Sequence, residues 1–405
     1  MTHYIPKDKM SLEAYYDIIV VGGGPAGCMV ACEAAKEQVS VLLLEKDRDL
    51  GSPVRCAEAI GKDGLEKILG DKINPQWIAA TIKNFQFVAP DGTIIFPQVA
   101  VTGYVLHRKL FDSDLGLLAA KAGAKISTKS YVTGLIFTNN RPAGVKVQIN
   151  GEERTIRAKL IIGADGVESR VARWAGIDTT VHMRDMETCA QMRLANIPIA
   201  GDTCIFYFSQ KKFPGGYAWI FPKGDQTANV GLGISGDKAR FDSASNRLES
   251  FVDEHFPNAS ILNQTVGGVP CANRLPRISS EGIVLVGDAA LQANPVSGGG
   301  IATGMTAGKI AGRVAADAIK SDNISADFLK QYERNWDTVC GSAQRRYYRL
   351  KEAIRKLSDE QLNNTAHALR KLPQKKQTLV KIFQIALTKQ PRLLVDIIKT
   401  LSPFS

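Results

Sequence analysis

The first strong pattern in the chain is the unbroken run Asp17-Ile18-Ile19-Val20-Val21, in which no polar residue alternates with the apolar ones. Such a run suits a strand buried on both faces of a parallel sheet. A glycine turn follows, then small residues from about Pro25 to Lys36 predict a helix. Val39 to Leu44 predict a second strand that ends at Glu45, which completes one β-α-β unit. The middle of the chain changes period. Alternating segments around Asn84–Val88, Thr93–Phe96, Cys189–Leu194, Cys204–Phe208, Tyr217–Phe221 and Asn229–Gly233, separated by Gly, Pro and Asp, predict an antiparallel sheet. Leu160-Ile161-Ile162-Gly163 and Ile283-Val284-Leu285-Val286 return to the continuous type and predict strands that rejoin the first sheet. From Gly304 onward the pattern is helical, and no repeat of fixed period is present.

Composition narrows the class. A chain of 405 residues can bury a large core and suggests two or three structural units. No stretch has the roughly 18 to 20 uninterrupted apolar residues of a membrane span, and Met1 to Glu13 lack the apolar core of a secretory signal, so a cytoplasmic location is expected. Seven scattered cysteines without a Cys-x-x-Cys spacing indicate neither a disulfide framework nor a zinc site. No metal and no nucleic-acid partner are expected. The net charge of +11 is concentrated at one end: residues 341–405 hold fourteen Lys and Arg against four acids, a surplus of ten. With apolar residues interleaved, as in Leu379-Val380-Lys381-Ile382-Phe383-Gln384-Ile385, this region suits an anionic membrane surface or phosphate groups, and equally a solvated helical face.

The candidate chemistry begins at the glycine turn. Gly22-x-Gly24-x-x-Gly27 directly follows a strand and opens a helix, the context in which glycines let backbone N–H groups approach a pyrophosphate at a helix N-terminus. Glu45 stands at the end of the next strand, where an acid would hold a ribose hydroxyl. These features predict a Rossmann-type dinucleotide domain. Asp165-Gly166, within Gly163-Ala164-Asp165-Gly166 and followed by Ser169 and Arg170, resembles the Asp-Gly motif of flavoprotein hydroxylases. Gly287-Asp288-Ala289-Ala290 resembles their second FAD fingerprint. On this resemblance the dinucleotide is FAD. Asp288 would accept a bond from a ribityl hydroxyl, serve as a helix N-cap, or do both. Arg108 would reach phosphate or flavin oxygens with its fixed fork of donors, or form a surface ion pair.

Two further segments resemble the geranylgeranyl reductase family. They are Pro214-Gly215-Gly216-Tyr217-Ala218-Trp219-Ile220-Phe221-Pro222, followed after seven residues by Val230-Gly231, and Asn294-Pro295-Val296-Ser297-Gly298-Gly299-Gly300-Ile301. With Gly51-Ser52-Pro53-Val54-Arg55-Cys56-Ala57-Glu58, they make the chain similar to the archaeal digeranylgeranylglycerophospholipid reductases. Motifs cover about the first 310 residues and general character covers the rest. Ala57 and Ala59 depart from the family pattern, in which glycine is common.

The resemblance implies FAD contacts at Gly22, Gly24, Ala26, Gly27, Glu45, Arg55, Cys56, Ala57, Ala59, Arg108, Val132, Asp165, Gly166, Asp288, Gly299, Gly300 and Ile301. It places Cys56, Tyr217 and Trp219 in the catalytic pocket. Cys56 would contact the flavin, give a proton, pair reversibly with another cysteine, or simply pack. Tyr217, Trp219 and Phe221 alternate and so share one strand face, as an apolar tunnel for a prenyl chain needs.

The expected fold is α/β. Residues 14–80, 101–185 and 270–321 would form a discontinuous FAD-binding domain. Residues 81–100 and 186–269 would form an antiparallel-sheet substrate domain, and 322–405 a C-terminal helical domain. The expected activity is FAD-dependent hydrogenation of the prenyl double bonds of geranylgeranyl chains, first of all on digeranylgeranylglycerophospholipids in archaeal membrane lipid biosynthesis, by a cytoplasmic protein peripheral on the inner face of the cell membrane. The electron donor would be external (NAD(P)H, a deazaflavin or ferredoxin), because no second G-x-G-x-x-G follows a strand. The alternatives are a flavin monooxygenase or halogenase, a reductase of chlorophyll's prenyl tail, and a flavin-bearing electron carrier without a substrate.

Overall fold

The computed structural model describes residues 12–98 and 102–387. The continuous apolar run forms β1 (Tyr15–Val21), the glycine turn leads into α1 (Pro25–Ala35), and β2 (Val41–Leu44) closes the β-α-β unit. Next come β3 (Ala59–Gly61), α2 (Lys62–Leu69), β4 (Ile78–Ile82), β5 (Asn84–Val88), β6 (Ile94–Ile95) and β7 (Gly103–Leu106). Helix α3 (Arg108–Lys121) and β8 (Lys125–Ser127) precede three long strands, β9 (Ser130–Thr138), β10 (Arg141–Ile149) and β11 (Glu152–Gly163). After the short α4 (Arg170–Trp174) the chain forms β12 (Met186–Ala195), β13 (Thr203–Tyr207), β14 (Tyr217–Pro222), β15 (Ala228–Ser235), α5 (Ala244–His255) and β16 (Ser260–Pro270). It then returns through β17 (Ser279–Ser280) and β18 (Ile283–Leu285) to the helices α6 (Ile301–Lys320), α7 (Ala326–Trp336), α8 (Ser342–Ile354), α9 (Asp359–Arg370) and α10 (Leu379–Ala386).

The first sheet has the order β17-β18-β11-β1-β2-β8, parallel from β18 to β8. The central segments of this sheet, far apart in sequence, thus lie side by side: β1, β2, β18 and the Leu160–Gly163 end of β11 are apolar runs buried on both faces. Ile18, Ile19, Val20, Leu160, Ile161, Ile162, Val284 and Leu285 are all at most 1% exposed. The C-terminal ends of four of these strands are tied together: Gly22 donates to Leu44 O (2.8 Å), Ala164 to Val21 O (2.8 Å), and Val286 to Gly163 O (2.9 Å). Open α/β sheets bind their ligands at such strand ends. The β9–β10 hairpin, which the hydrophobic pattern did not announce, extends β11 antiparallel and outward.

The second sheet runs β16-β12-β15-β14-β13-β5-β6, antiparallel except where β13 joins β5. Its period-2 pattern separates two faces. Ala190, Met192, Leu194, Ala218, Ile220, Val230 and Leu232 pack on Leu248, Phe251 and Val252 of α5. The opposite face turns to the small sheet β3-β7-β4 and to the site. Helix α7, the first helix beyond residue 322, puts Leu329, Tyr332 and Trp336 into the core of the first sheet. Helices α8 to α10 instead cluster around Leu350, Leu357, Leu369 and Phe383, against Phe87 and Ile95 of the second sheet.

Candidate flavin and substrate site

One cavity of about 1320 Å³ runs from the strand ends of the first sheet to the helices α8, α9 and α10. At its first end are Gly22, Gly24, Ala26 and Glu45. Gly22 adopts φ +108°, and a Cβ there would lie 2.3 Å from Ala164 O, so only glycine fits the turn. A Cβ on Gly24 would meet nothing within 4 Å, which leaves its backbone open to a ligand. Gly27 does not reach the cavity. It is buried under the turn, where a Cβ would stand 2.0 Å from Gly22 O, and its part is to let the helix pack on the strand. Replacing Gly22 by alanine should therefore yield folded chain without bound flavin, read from visible absorbance after desalting; retained stoichiometric flavin would contradict the assignment.

Both Glu45 oxygens accept backbone bonds, Oε2 from Gly23 (2.6 Å) and Oε1 from Asp47 (2.9 Å). Each keeps a lone pair for a hydroxyl group. Asp165 Oδ2 accepts from Val171 N–H (3.0 Å), while Oδ1 is buried with no partner among the described residues. Burial raises the Asp165 carboxyl above its ordinary range. An orphaned buried acceptor beside a glycine cradle fits a ligand that brings hydroxyl donors, as FAD does. The loop that follows is fixed to the next fingerprint, since Ser169 Oγ donates to Ala289 O (3.0 Å). Asp288 lines the cavity and is not the N-cap residue of either adjoining helical segment, those being Val286 and Gly300. Burial raises its carboxyl, and the charge of Arg108 pulls the other way.

Arg108 is not a surface ion pair. Its side chain is 12% exposed, with Nε and Nη2 each 2.7 Å from a carboxylate oxygen of the buried Asp112. Its Nη1 group is uncommitted among the described residues, and the residue lines the cavity. Ala57 and Ala59 flank Glu58, which takes φ +71° and is locked by its surroundings. Glu58 carboxylate oxygens accept from Lys223 Nζ (2.8 Å), Asn229 Nδ2 (2.6 Å) and Arg108 N–H (3.0 Å). Lys223 also donates to Leu106 O. Burial holds Lys223 below the ordinary lysine range although Glu58 pulls it up. This buried cluster fixes the Cys56 loop, and the sequence reading missed it. Its one signal was a lysine directly after the strand ending Phe221-Pro222.

Cys56 borders the cavity with Arg55, Ala57, Ala59 and Val132, and Gly166, Gly299, Gly300 and Ile301 close the cradle from the other side. Burial raises the Cys56 thiol, against the pull of Arg108, so it stays a thiol at neutral pH. Gln191 ties the loop to the aromatic face: its Nε2 donates to Cys56 O (3.0 Å) and its Oε1 accepts from Trp219 Nε1 (3.1 Å). Tyr217 Oη donates to Ser297 O (2.6 Å), and burial raises its pKa. Tyr217, Trp219 and Phe221 form one row of rings with centroids 6.0 and 6.3 Å apart, and Phe206 packs 5.6 Å from Tyr217. Beyond them the walls are Phe85, Phe87, Ile95, Leu350, Leu362 and Phe383. The helix Leu379–Ala386, for which the sequence leaves a membrane surface, phosphate groups and a solvated face open, gives Leu379, Ile382, Phe383 and Ala386 to this wall. Lys389, Arg392 and Lys399 of the basic region lie outside the described residues.

A glycine cradle on a parallel sheet, joined through one cavity to an aromatic antiparallel sheet, defines an FAD-dependent oxidoreductase. Residues 185–269 match the family pattern described as geranylgeranyl reductase catalytic domain, and residues 16–212 match pyridine nucleotide-disulphide oxidoreductase. The chain is 41% identical to the digeranylgeranylglycerophospholipid reductase of Methanocella arvoryzae over 96% of this chain and 99% of that one. Its fold superposes with a TM-score of 0.87, at 34% identity, on a geranylgeranyl bacteriochlorophyll reductase-like protein of Thermoplasma acidophilum, covering 96% and 99% of the two chains. A flavin-dependent brominase shares the fold alone, with a TM-score of 0.71 at 15% identity over 96% and 95%. The chain belongs to the digeranylgeranylglycerophospholipid reductase family.

Proposed function

We propose that this chain hydrogenates the carbon–carbon double bonds of geranylgeranyl chains carried on a glycerophospholipid. The reading is supported by the names of its relatives. The observation that carries it is the continuity of the cavity, polar where FAD would lie and lined by aromatic and aliphatic side chains beyond. Its 1320 Å³ exceeds the roughly 300–1,000 Å³ of a typical single-ligand site, which suits cofactor and lipid chain together.

Bound and reduced, FAD supplies the hydride equivalent. The chain's residues do the rest. Gly22 to Ala26, Glu45, Asp165 and Asp288 would hold the cofactor, and Arg108 and the segment Gly299–Ile301 line the same cavity. Tyr217, Trp219 and Phe221 would present an apolar row of mutually tilted rings to the prenyl chain and exclude water, which favours a reaction that builds only C–H bonds. The three segments 14–80, 101–185 and 270–321 would act as the cofactor domain, 81–100 and 186–269 as the substrate domain, and 322–405 as its helical cover.

The electron donor in this reading is an external NAD(P)H, deazaflavin or ferredoxin. The protein would work on the inner face of the cell membrane as a peripheral protein; no described helix is long and apolar enough to cross a membrane. Arg370, Lys371, Lys375 and Lys376 are exposed beside the α9–α10 end of the cavity. At ~1 kcal/mol per cation near an anionic surface, changing Lys371, Lys375 and Lys376 to glutamine should weaken binding to anionic liposomes by about two orders of magnitude at low salt. Unchanged sedimentation with liposomes would contradict the membrane contact.

Oxygen separates the reductase from a monooxygenase or halogenase. Anaerobic enzyme with a chemical reductant should saturate a geranylgeranyl glycerophospholipid. A hydroxylated or halogenated product that forms only with oxygen would overturn the reading.

A further inference from the structure

Glu187 is a buried carboxyl that nothing above uses. On β12 the residues Glu187, Cys189 and Gln191 alternate onto the cavity face, while Ala190, Met192 and Leu194 face the α5 core. The register places Cys189 opposite Gly233, which in turn lies opposite Tyr217. Glu187 therefore sits one pleat beyond the Tyr217 row, on the same wall. A Cβ on Gly216, the neighbour of Tyr217, would lie 3.3 Å from Glu187 Oε2. Glu187 is 8% exposed, and Oε2 is buried without a hydrogen-bond partner among the described residues. A buried orphan acceptor in a functional cavity calls for an explanation.

The groups around it come from four directions. Lys351 and Arg355 face it from α8 and its C-terminal cap, Asp185 and Asp237 from the segments before β12 and after β15 at the same end of the sheet, Cys271 from the end of β16, and Tyr217 and Cys189 from the sheet itself. The two cations do not neutralise it. Lys351 Nζ is committed to Asp185 (2.7 Å) and to Cys271 O (2.6 Å), and Arg355 donates to Arg184 O (3.0 Å) with Asp237 and Glu352 nearby. Burial pushes the Glu187 carboxyl up to about 7, so near neutral pH much of it holds a proton. Cys189, pushed up to about 12, and Tyr217 are held protonated too firmly to cycle easily.

We infer that Glu187 is the catalytic acid that delivers the proton to the prenyl double bond. The role rests on the hydrogenation reading above. Hydride from reduced FAD forms one new C–H bond, and the π electron pair takes the Glu187 proton to form the other. FAD is oxidised, the C=C bond becomes CH–CH, and Glu187 is left as a carboxylate beside Lys351 and Arg355. It regains its proton from solvent, so the balance is one hydride and one proton per bond.

The test is anaerobic single turnover of FAD-loaded, reduced enzyme with a geranylgeranyl glycerophospholipid, following flavin reoxidation and saturated product together. Glu187→Gln should bind FAD and the lipid like wild type, the latter read from the lipid-induced change in the flavin spectrum. Its reoxidation should slow by about 10²–10³-fold, the contribution expected of a general acid. Glu187→Asp should recover part of the rate. The wild-type rate should fall as pH rises through about 7, and Glu187→Gln should lose that dependence. Wild-type rate and pH profile in Glu187→Gln would overturn the role, as would loss of flavin or lipid binding in both variants, which assigns Glu187 to packing. A wild-type enzyme that saturates no lipid overturns the hydrogenation reading itself, and this role with it.

Discussion

Replacing Lys223 by methionine should lower folding stability by about 3–5 kcal/mol, because it strands the Glu58 carboxylate in the interior. The side chains of Lys223 and Glu58 are 2% and 9% exposed, and Glu58 also receives Asn229 and the Arg108 N–H. Glu58 has a left-handed backbone, a strain of about 1–3 kcal/mol that persists only where surroundings over-determine it. Breaking the cluster should therefore release the loop from Arg55 to Ala59 and loosen flavin binding as well. The double replacement Glu58→Gln with Lys223→Met removes both charges and should regain more than half of the loss. Denaturant titrations of the three chains check this. A loss below about 1 kcal/mol for Lys223→Met, the scale of a surface pair, would contradict the account.

The second large effect is in the pH dependence of stability. In the folded chain Glu187 titrates at about 7, against 4.5 for an ordinary glutamate. Between those values the folded state holds a proton that the unfolded chain has released. Stability from this group is thus fully present below about 4.5 and is lost as pH rises to about 7, a total of ~3 kcal/mol. Glu187→Gln should remove that slope, so its stability relative to wild type should improve from pH 5 to pH 8. A constant difference across that range would show that the carboxyl is not raised by burial.

The parallel sheet was readable from sequence because β1, the Leu160–Gly163 end of β11 and β18 are apolar runs buried on both faces, and a doubly covered sheet suits such strands. The second sheet was readable in outline from its alternation. The β9–β10 hairpin and β16 were not, since β16 is largely exposed along Ser260–Val266 and carries no apolar stripe. The cradle was legible because glycines at fixed spacing have one physical use, whereas Gly27 shows that spacing cannot tell a ligand-facing glycine from one beneath the turn.

The polar clusters stayed hidden for a different reason. Glu58 meets Lys223 across 165 positions, and Asp185 meets Lys351 across 166, so no local pattern records either pair. Glu187 reads as an ordinary strand glutamate until β12 is seen against β15 and the helix α8. The helix Leu379–Ala386 likewise showed its apolar residues but not what they cover.

In the proposed reaction, reducing equivalents from FAD pass to a prenyl chain in the adjoining cavity. Mass spectrometry of a geranylgeranyl glycerophospholipid after anaerobic mixing with a known amount of reduced enzyme tests it most directly. The lipid should be heavier by one H₂ per bond reduced, with one FAD oxidised for each bond saturated. Flavin that stays reduced beside unchanged lipid, or is oxidised with no saturated product, would contradict it.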